Sequence, residues 1–320
     1  MNVRRANLFL LLMVLAGQAG GGLSSAGKAQ DPESYRIAVD VDLVVLHPAV
    51  RDRKGRFVSG LREQDFEVYE DGVRQEIRLF QYEDTPVTVG LVVDHSRSMR
   101  TRLAQVIAAA GTFARFSNTE DQIFVVNFNE NVSLGLPATI PFTNSYAALQ
   151  DAIANAPAAG MTALYDAIVE GLEHLQHGSR DKKVLLVISD GADNASGHSL
   201  PDILKIAQQS SAIVYTVGLF DDGDPDRNPK VLKRLAEETG GEAFFPGQPG
   251  AVVDVCEGIA HDIRNQYTIG YVSTNTAPKS VYRPIRVIAR SPDHGRLFVR
   301  TRAGYLTGGR SPPVKDKDSP

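Results

Sequence analysis

The 320-residue chain has a single cysteine, Cys256, and no tryptophan. One cysteine cannot form an internal disulfide, nor can it supply the several thiolates of a structural zinc module. The sequence also lacks a GxSxG nucleophile motif, and no glycine-rich phosphate-binding loop follows its first long apolar strand. These absences exclude a disulfide-stabilised scaffold and a hydrolase of the nucleophile-elbow type. Stability must therefore come from packing of the hydrophobic residues.

Positive charge is in deficit as well, with 34 Lys and Arg against 38 Asp and Glu, a net charge of −4. Removal of residues 1–29 would take away three basic residues and no acidic one, so the net charge of the remaining chain would be −4 − 3 = −7. Proteins that bind nucleic acid present an excess of Lys and Arg to the phosphates. The composition therefore argues against a nucleic-acid partner.

Residues 1–29 are typical of an export signal peptide. Two arginines precede the apolar run Leu8–Ala16, and small residues follow it, with Ala26 and Ala29 as candidate cleavage positions. The run is shorter than the roughly 20 apolar residues that a membrane-spanning helix needs. We therefore expect an exported protein, periplasmic, at the cell surface or secreted, with no stable membrane span after cleavage. An uncleaved membrane anchor is the alternative.

Three compositions follow one another along the rest of the chain. Strand-rich segments are predicted at 35–85 and 266–306, and a larger domain that alternates strands with helices is predicted at 86–265. We expect the two strand-rich segments to pair into one small β-module, and residues 307–320 to be a disordered tail.

The middle domain predicts a doubly wound, mostly parallel sheet with helices on both faces, because apolar strands alternate there with longer helical segments. The predicted strands are Val87–Val93, Gln122–Phe128, Lys183–Ile188 and Ala212–Leu219. The predicted helices are Met99–Phe116, Tyr146–Ala154, Ala163–Leu175, Pro201–Gln209, Lys230–Glu238 and Ala251–Ile263.

The flanking segments are predicted to be strands joined by turns. Asp71-Gly72 favours a tight hairpin turn, because both positions can take positive backbone φ angles. The predicted strands are Tyr35–Val50, Phe66–Tyr69, Val73–Phe80, Gln266–Val272, Tyr282–Arg290 and Leu297–Arg302.

Oxygen-bearing side chains gather at the predicted carboxyl edge of the sheet, where ligands bind in such folds. Asp94, Ser96 and Ser98 alternate directly after the first apolar strand, Asp190 follows another strand, and Thr162 lies in a loop that enters a helix. Carboxylate and hydroxyl oxygens are ligands for Mg²⁺, Mn²⁺ or Ca²⁺, whereas zinc and copper would call for His or Cys. The pattern therefore predicts a divalent-cation site.

These three motifs, DxSxS, TALYDAI and VISDG in that order, resemble the von Willebrand factor type A domain with its metal-ion-dependent adhesion site. The resemblance spans about residues 86–265 and implies that Ser96 and Ser98 are direct ligands. It implies that Asp94 and Asp190 act largely through bound water, and that the contact of Thr162 depends on conformation. The implied function is non-enzymatic: an exported adhesion-type protein whose cation recognises an acidic side chain of a protein partner.

Two departures from the family pattern concern the partner rather than the cation. Arg97 stands between the serines where glycine is common, and Met161 precedes the threonine where a small residue is commoner. Neither change removes an oxygen ligand. The guanidinium of Arg97 either clamps a carboxylate of the partner or points to solvent.

Simpler interpretations of the same residues stay open at this point. Asp94, Ser96, Ser98 and Thr162 are residue types that cap helices. The oxygen cluster also fits a metal-dependent hydrolase of phosphate or ester substrates, or a structural module that the ion merely stabilises.

Neighbouring polar residues receive predictions of their own. His95 is expected on the rim of the site rather than as a base, and Asn127 and Asn129 are candidates to line it. Asp166 is expected to accept hydrogen bonds behind the site or to favour the start of its helix electrostatically.

Overall fold

The computed structural model describes residues 43–220, 223, 227–248, 250–275 and 281–307. The predicted signal peptide and residues 308–320 of the predicted tail lie outside the described residues, as does the part of the predicted strand Tyr35–Val50 that precedes Leu43.

The described residues form fifteen strands and six α-helices. The strands are β1 (Leu43–Leu46), β2 (Ala49–Arg51), β3 (Phe66–Glu70), β4 (Val73–Gln75), β5 (Ile77–Gln81), β6 (Val87–Asp94), β7 (Gln122–Phe128), β8 (Val132–Leu134), β9 (Lys182–Ser189), β10 (Ile213–Gly218), β11 (Ala243–Phe244), β12 (Thr268–Val272), β13 (Tyr282–Ala289), β14 (Phe298–Arg300) and β15 (Gly304–Leu306). The α-helices are α1 (Leu103–Phe116), α2 (Tyr146–Ala154), α3 (Leu164–His174), α4 (Leu200–Gln209), α5 (Pro229–Thr239) and α6 (Ala251–Arg264).

A six-stranded sheet in the order β11-β10-β9-β6-β7-β8 forms the centre of the larger domain. All neighbouring pairs are parallel except β7 and β8. Strand β6 is buried along its whole length, as expected of a strand covered by helices on both faces. The predicted doubly wound, mostly parallel α/β fold is thus confirmed.

The six helices form two groups. Helix α1 packs against α2 and α6, whereas α4 packs against both α3 and α5. Helices α2 and α6 also touch β7 and β10, and α3 and α5 touch β6 and β10. The sheet is therefore sandwiched, and its apolar strand residues form one continuous core with the inner faces of the helices.

Three predicted elements differ from the structure by more than two residues or by a break within the element. Helix α1 begins at Leu103 rather than Met99, because a separate 3-10 turn, Arg97–Met99, precedes it. The strand predicted through residue 50 breaks at Pro48, which has no N–H to donate to a ladder. The strand Val73–Phe80 divides at Glu76, because β4 pairs with β3 while β5 pairs with β12.

The remaining strands form a β-module, which we define as β1 to β5 together with β12 to β15. Its ladders are β1-β12-β5, β15-β13-β3-β4 and β14-β2, so strands from before and after the larger domain pair with each other. The predicted hairpin turn is confirmed, with φ of 50° at Asp71 and 78° at Gly72. Within this module, the buried carboxylate of Glu70 pairs with Arg283 at 3.1 Å across a separation of 213 residues.

The last turn of α6 joins the larger domain to the β-module through buried charges. Asp262, which is 1% exposed, accepts a 2.5 Å hydrogen bond from the hydroxyl of Tyr215 and pairs with the guanidinium of Arg300. Arg51 approaches the other oxygen of the same carboxylate at 3.4 Å. We call these four residues the α6-end cluster. Each of its charges has an opposite charge within the protein.

No helix among the described residues is both long enough and apolar enough to cross a membrane.

Candidate functional site

A cleft of about 440 Å³ lies at the carboxyl edge of the six-stranded sheet, where neighbouring strands β6 and β9 end. Ser96, Ser98, Thr162 and Asp190 all line this cleft, although they come from three separate loops. The structure therefore brings together four of the five predicted site residues. The fifth, Asp94, lies beneath them and is fully buried.

The two serine hydroxyls form a short chain that ends on a carboxylate. Their Oγ atoms are 3.1 Å apart, and the hydroxyl of Ser98 donates a 2.6 Å hydrogen bond to Oδ2 of Asp190. The other carboxylate oxygen of Asp190 accepts from the backbone N–H of Ala192 at 2.9 Å. Because the proton of Ser98 points to Asp190, the hydroxyl of Ser96 donates to Ser98, and one lone pair of the Ser98 oxygen stays open to a ligand in the cleft.

Asp94 holds the turn that carries these hydroxyls. Its Oδ1 accepts from the backbone N–H of Ser96 at 2.8 Å, and its Oδ2 accepts from the hydroxyl of Ser189 at 2.6 Å. Burial raises the pKa of Asp94 to about 6 against the effect of these hydrogen bonds, and the nearby charge of Asp190 adds to the rise. A positive charge in the cleft would favour the ionised form of Asp94.

Thr162 is fixed from both sides by the loop that follows β9. Its backbone N–H donates to Oδ1 of Asn194 at 2.8 Å, and its carbonyl accepts from the backbone N–H groups of Asn194 and Ala195 at 3.0 and 3.1 Å. Just before it, Gly160 has a φ of +86°, a conformation that favours glycine. The position of the threonine in the cleft therefore depends on a two-loop contact.

Asp166 serves this contact from behind the cleft. Its carboxylate accepts hydrogen bonds from the backbone N–H groups of Gly197 and His198 at 2.9 and 3.0 Å, and lies 2.7 Å from Nδ1 of His198. Burial alone would raise the pKa of Asp166, but these hydrogen bonds lower it below its ordinary value. Asp166 thus anchors the loop that carries Asn194.

His95 and Asn127 are not where the sequence analysis expected them. His95 is 1% exposed rather than on the rim, and its Nε2 lies 3.0 Å from Oδ1 of Asn127. The amide of Asn127 also donates to the carbonyl of Ala152 at 2.7 Å. Burial lowers the pKa of His95, which favours the neutral ring. The two side chains tie β6 and β7 to α2, so the predictions of a rim histidine and a lining Asn127 are wrong.

Asn129, the second asparagine expected to line the cleft, holds loops together instead. Its carbonyl accepts from the backbone N–H of Ala163, and its side-chain Oδ1 accepts from that of Asn131. Asn129 is not among the residues that line the cleft.

Two residues of the site escaped the sequence analysis. Ser189 holds Asp94, and Asn194 holds Thr162 and lines the cleft itself. Ser189 belongs to the run Ser189-Asp190-Gly191, of which only Asp190 was predicted to belong to the site. The polar pair Asp193-Asn194 in the next loop was the available signal for the second residue.

The described ranges contain no group of three or more His, Cys, Asp and Glu side chains placed to hold a metal ion. The oxygen set of the cleft differs from such groups because most of its members are hydroxyls.

Comparison with known families decides the affiliation of the chain. The family model for the von Willebrand factor type A domain matches residues 88–255, more than half of the sequence. The chain belongs to this family. The matched residues contain β6 to β11, α1 to α5 and all five predicted site residues, so the type A domain is the part of the chain that carries the cleft.

Three solved structures are similar to the chain, and the one with a TM-score above 0.5 has the same fold. A von Willebrand factor type A protein from Catenulispora acidiphila is similar at 12% identity and a TM-score of 0.51, over 82% of this chain and 74% of that one. The vWF domain of the type V pili tip protein Mfa5 from Porphyromonas gingivalis is similar at 15% identity and a TM-score of 0.47, over 56% and 95%. The manganese-loaded Plasmodium vivax TRAP protein is similar at 12% identity and a TM-score of 0.44, over 75% and 99%. Among curated proteins, no significant match is found.

Proposed function

We propose that the protein is an exported, non-enzymatic binding protein whose type A domain holds a divalent cation in the cleft. Ser96, Ser98 and Thr162 would supply hydroxyl oxygens, and Asp190 and Asp94 would supply negative charge around them. The cation, Mg²⁺ or else Mn²⁺ or Ca²⁺, would engage an acidic side chain of a protein partner.

One observation carries this proposal: two carboxylates lie close to the floor of the cleft, and neither is paired with a basic side chain of the described residues. Among the described residues, no lysine or arginine forms an ion pair with Asp94 or Asp190. Buried carboxylates are normally paired with cationic groups or coordinate metals. A hard divalent cation fits the donor set, because every side-chain group offered to the cleft by the predicted residues is an oxygen.

The same geometry explains why a carboxylate would be the preferred ligand. The carboxylates of Asp94 and Asp190 already accept hydrogen bonds from N–H and O–H groups of the protein, which disperses part of their charge. The hydroxyl ligands are neutral. A bound cation would therefore keep much of its positive charge and attract an anionic oxygen from outside.

A hydrolase would need a general base beside the cation, and the chemistry of the cleft supports binding instead. Asp190 already accepts two hydrogen bonds, and His95 bonds Asn127 beneath the sheet edge. Turnover of phosphate or ester substrates that requires the metal and disappears in Ser96→Ala would overturn the non-enzymatic part of the proposal.

Calorimetric titration of Mg²⁺, Mn²⁺ and Ca²⁺ into the mature protein tests the cation site. We expect binding to the wild-type protein, at least tenfold weaker binding to Ser96→Ala, and unchanged binding to Ser179→Ala. The last variant removes a hydroxyl of the same kind far from the cleft, where Ser179 bonds Gln122. Equal affinities in all three proteins would remove the site.

A second measurement tests whether the cation serves recognition. With the preferred metal present, a short peptide that carries one aspartate should bind, and EDTA should release it. If the metal binds and raises the melting temperature but no acidic peptide binds, the ion has only a structural role and the recognition proposal fails.

The export part of the proposal has its own test. Expression of the full chain in a bacterial host should give mature protein outside the cytoplasm, with an N-terminus after residue 26 or 29. Intact-mass measurement that finds the uncleaved chain in the cytoplasm would contradict it.

A further inference from the structure

Arg97 is a charged side chain on the wall of the cleft that the cation site does not use. It lies between the two site serines, lines the cleft and is exposed to solvent. Its backbone N–H contacts the carbonyl of Gly160 at 3.4 Å, which fixes its main chain against the opposite loop. Within the part of the chain that the structure describes, no hydrogen bond or ion pair engages its guanidinium.

The guanidinium of the nearby Arg100, in contrast, is held by hydrogen bonds within the protein. Nε and one terminal nitrogen of Arg100 donate to the carbonyl of Ala158 at 3.2 and 3.0 Å. Arg100 thus ties the turn after β6 to the loop before α3. Arg97, only three residues earlier, has no such task.

The segment that follows β6 is basic, unlike the chain as a whole. The stretch 97–102 has three arginines and no acid, although the chain carries a net charge of −4. On the facing loop, Met161 is 54% exposed, and its backbone N–H is held by Glu130 at 2.8 Å. The carboxylate of Glu130 therefore already has a partner within the protein. An exposed arginine and an exposed methionine beside the oxygen-lined floor complement an acidic segment of a partner.

We propose that Arg97 is a specificity determinant: it selects partner segments in which a second acidic side chain stands next to the one that reaches the cation. This proposal rests on the proposed function, because the first acidic side chain is read by the cation. Met161 on the facing loop would cover the aliphatic part of the bound segment, since methionine adapts to irregular apolar surfaces.

The physical basis is the fork of the guanidinium, which matches a carboxylate with two parallel N–H donors. Because Arg97 is exposed, solvent screens the pair, and the gain in affinity is expected to be modest, about three- to fivefold. The same charge should accelerate association at low ionic strength and lose that effect as salt is added.

Two peptides and three arginine variants test the proposal on the mature, Mn²⁺-saturated protein. The peptides are acetyl-Gly-Gly-Asp-Gly-Gly-amide and acetyl-Gly-Asp-Asp-Gly-Gly-amide, with affinities measured by calorimetry. We expect the wild-type protein to bind the two-acid peptide about three- to fivefold more tightly. In Arg97→Gln this ratio should fall to about one, and in Arg97→Glu it should fall below one.

Arg53→Gln is the matched control. Arg53 is also exposed, and its substitution removes the same charge from the β-module, far from the cleft. It should keep the wild-type ratio. If Arg53→Gln lowers the ratio as much as Arg97→Gln, overall charge rather than the rim selects the peptide and the proposal fails. Circular dichroism establishes that each variant is folded.

The outcomes separate this proposal from the one on which it rests. Metal-dependent binding of both peptides with equal affinity would overturn the role of Arg97 and leave the cation site standing. Absence of metal-dependent binding of either peptide would overturn recognition through the cation, and the role of Arg97 with it.

Discussion

The cleft and the α6-end cluster use similar chemical groups in opposite ways. In the α6-end cluster, Asp262 is buried against Arg300, Arg51 and the hydroxyl of Tyr215, so the charge is neutralised inside the protein. At the cleft, the carboxylates of Asp94 and Asp190 accept hydrogen bonds from uncharged donors only.

This difference separates structural from functional polar groups. A carboxylate whose countercharge comes from the same chain holds elements together, and removal of either partner leaves a buried charge. A carboxylate without a countercharge in the chain attracts one from solution. Burial alone does not distinguish the two, because Asp94 and Asp262 are equally inaccessible.

The largest effect on the free energy of unfolding is expected from a substitution in the α6-end cluster. Asp262→Ala removes the acceptor of the Tyr215 hydroxyl and leaves the two arginines only Glu242 as a carboxylate partner, and should lower the free energy of unfolding by about 3 kcal/mol. Glu257→Ala, on the same helix but exposed and 3.7 Å from His261, should change it by less than about 1 kcal/mol. Urea denaturation of both variants measures the contrast. Similar losses in both would show that the cluster is no stronger than a surface pair.

At the cleft, we expect the protein to be stabilised by a bound metal ion. At a metal concentration a hundredfold above Kd, binding adds about 2.7 kcal/mol to the free energy of unfolding and raises Tm. Ser98→Ala should lose most of this metal-dependent rise. Ser179→Ala should retain it, and scanning calorimetry with and without Mg²⁺ measures both. A rise of the same size in Ser98→Ala would place the ion elsewhere.

A pH titration sharpens the comparison at the junction with the β-module. Burial, followed by the positive charges of Lys182 and Arg302, lowers the pKa of His47 to about 3. The unfolded chain takes up this proton near pH 6.5 and the folded chain does not, so the folded state loses stability as pH falls below 6.5. Between pH 7.5 and 5 the loss should be about 2 kcal/mol.

His47→Gln should remove this part of the acid dependence, whereas the exposed control His177→Gln should keep the wild-type slope. The measurement is the free energy of unfolding from urea titrations at intervals between pH 5 and 7.5. Parallel curves for the wild-type protein and His47→Gln would contradict the assignment.

The smallest effect concerns the rim of the cleft. Gly160 has a positive φ, and a Cβ there would lie 1.5 Å from Oε2 of Glu130, so Gly160→Ala should cost about 1–2 kcal/mol and weaken metal-dependent peptide binding. Gly258→Ala, in α6 with open space around it, should instead gain up to about 1 kcal/mol. Denaturation curves that shift in the same direction for both would contradict this reading of the rim.

Local patterns predicted the fold well where one element decides its own bounds. Helix Tyr146–Ala154 was predicted at the observed residues, since its amphipathic stripe and its N-terminal Ser145 are both local signals. The start of α1 was predicted too early, because Met99 belongs to a turn fixed by the loop at Gly160, which no nearby residue reveals. Strands β8, β11 and β15 were missed because they are only two or three residues long.

The sequence predicted which oxygen-bearing side chains meet at the sheet edge, but not which of them line the cleft and which lie beneath it. The motif spacing placed Ser96, Ser98 and Asp190 together, as parallel strands require. That Asp94 lies beneath them depends on Ser189, 95 residues away, and the pairing of His95 with Asn127 depends on the neighbouring strand. Contacts across the sheet edge decide which polar residues face the cleft. The alternation of residues along one strand does not reveal these contacts.

The pairing of Glu70 with Arg283 has a consequence for biosynthesis. The two residues are 213 positions apart, and the whole type A domain lies between them. Loop closure over such a distance is entropically costly, and contacts distant in sequence form late. As the nascent chain emerges, the type A domain can therefore fold while β1, β2, β5 and the open edge of the β3-β4 hairpin still lack their partners among β12 to β14. These early strands find their partners late, and they expose their edges meanwhile.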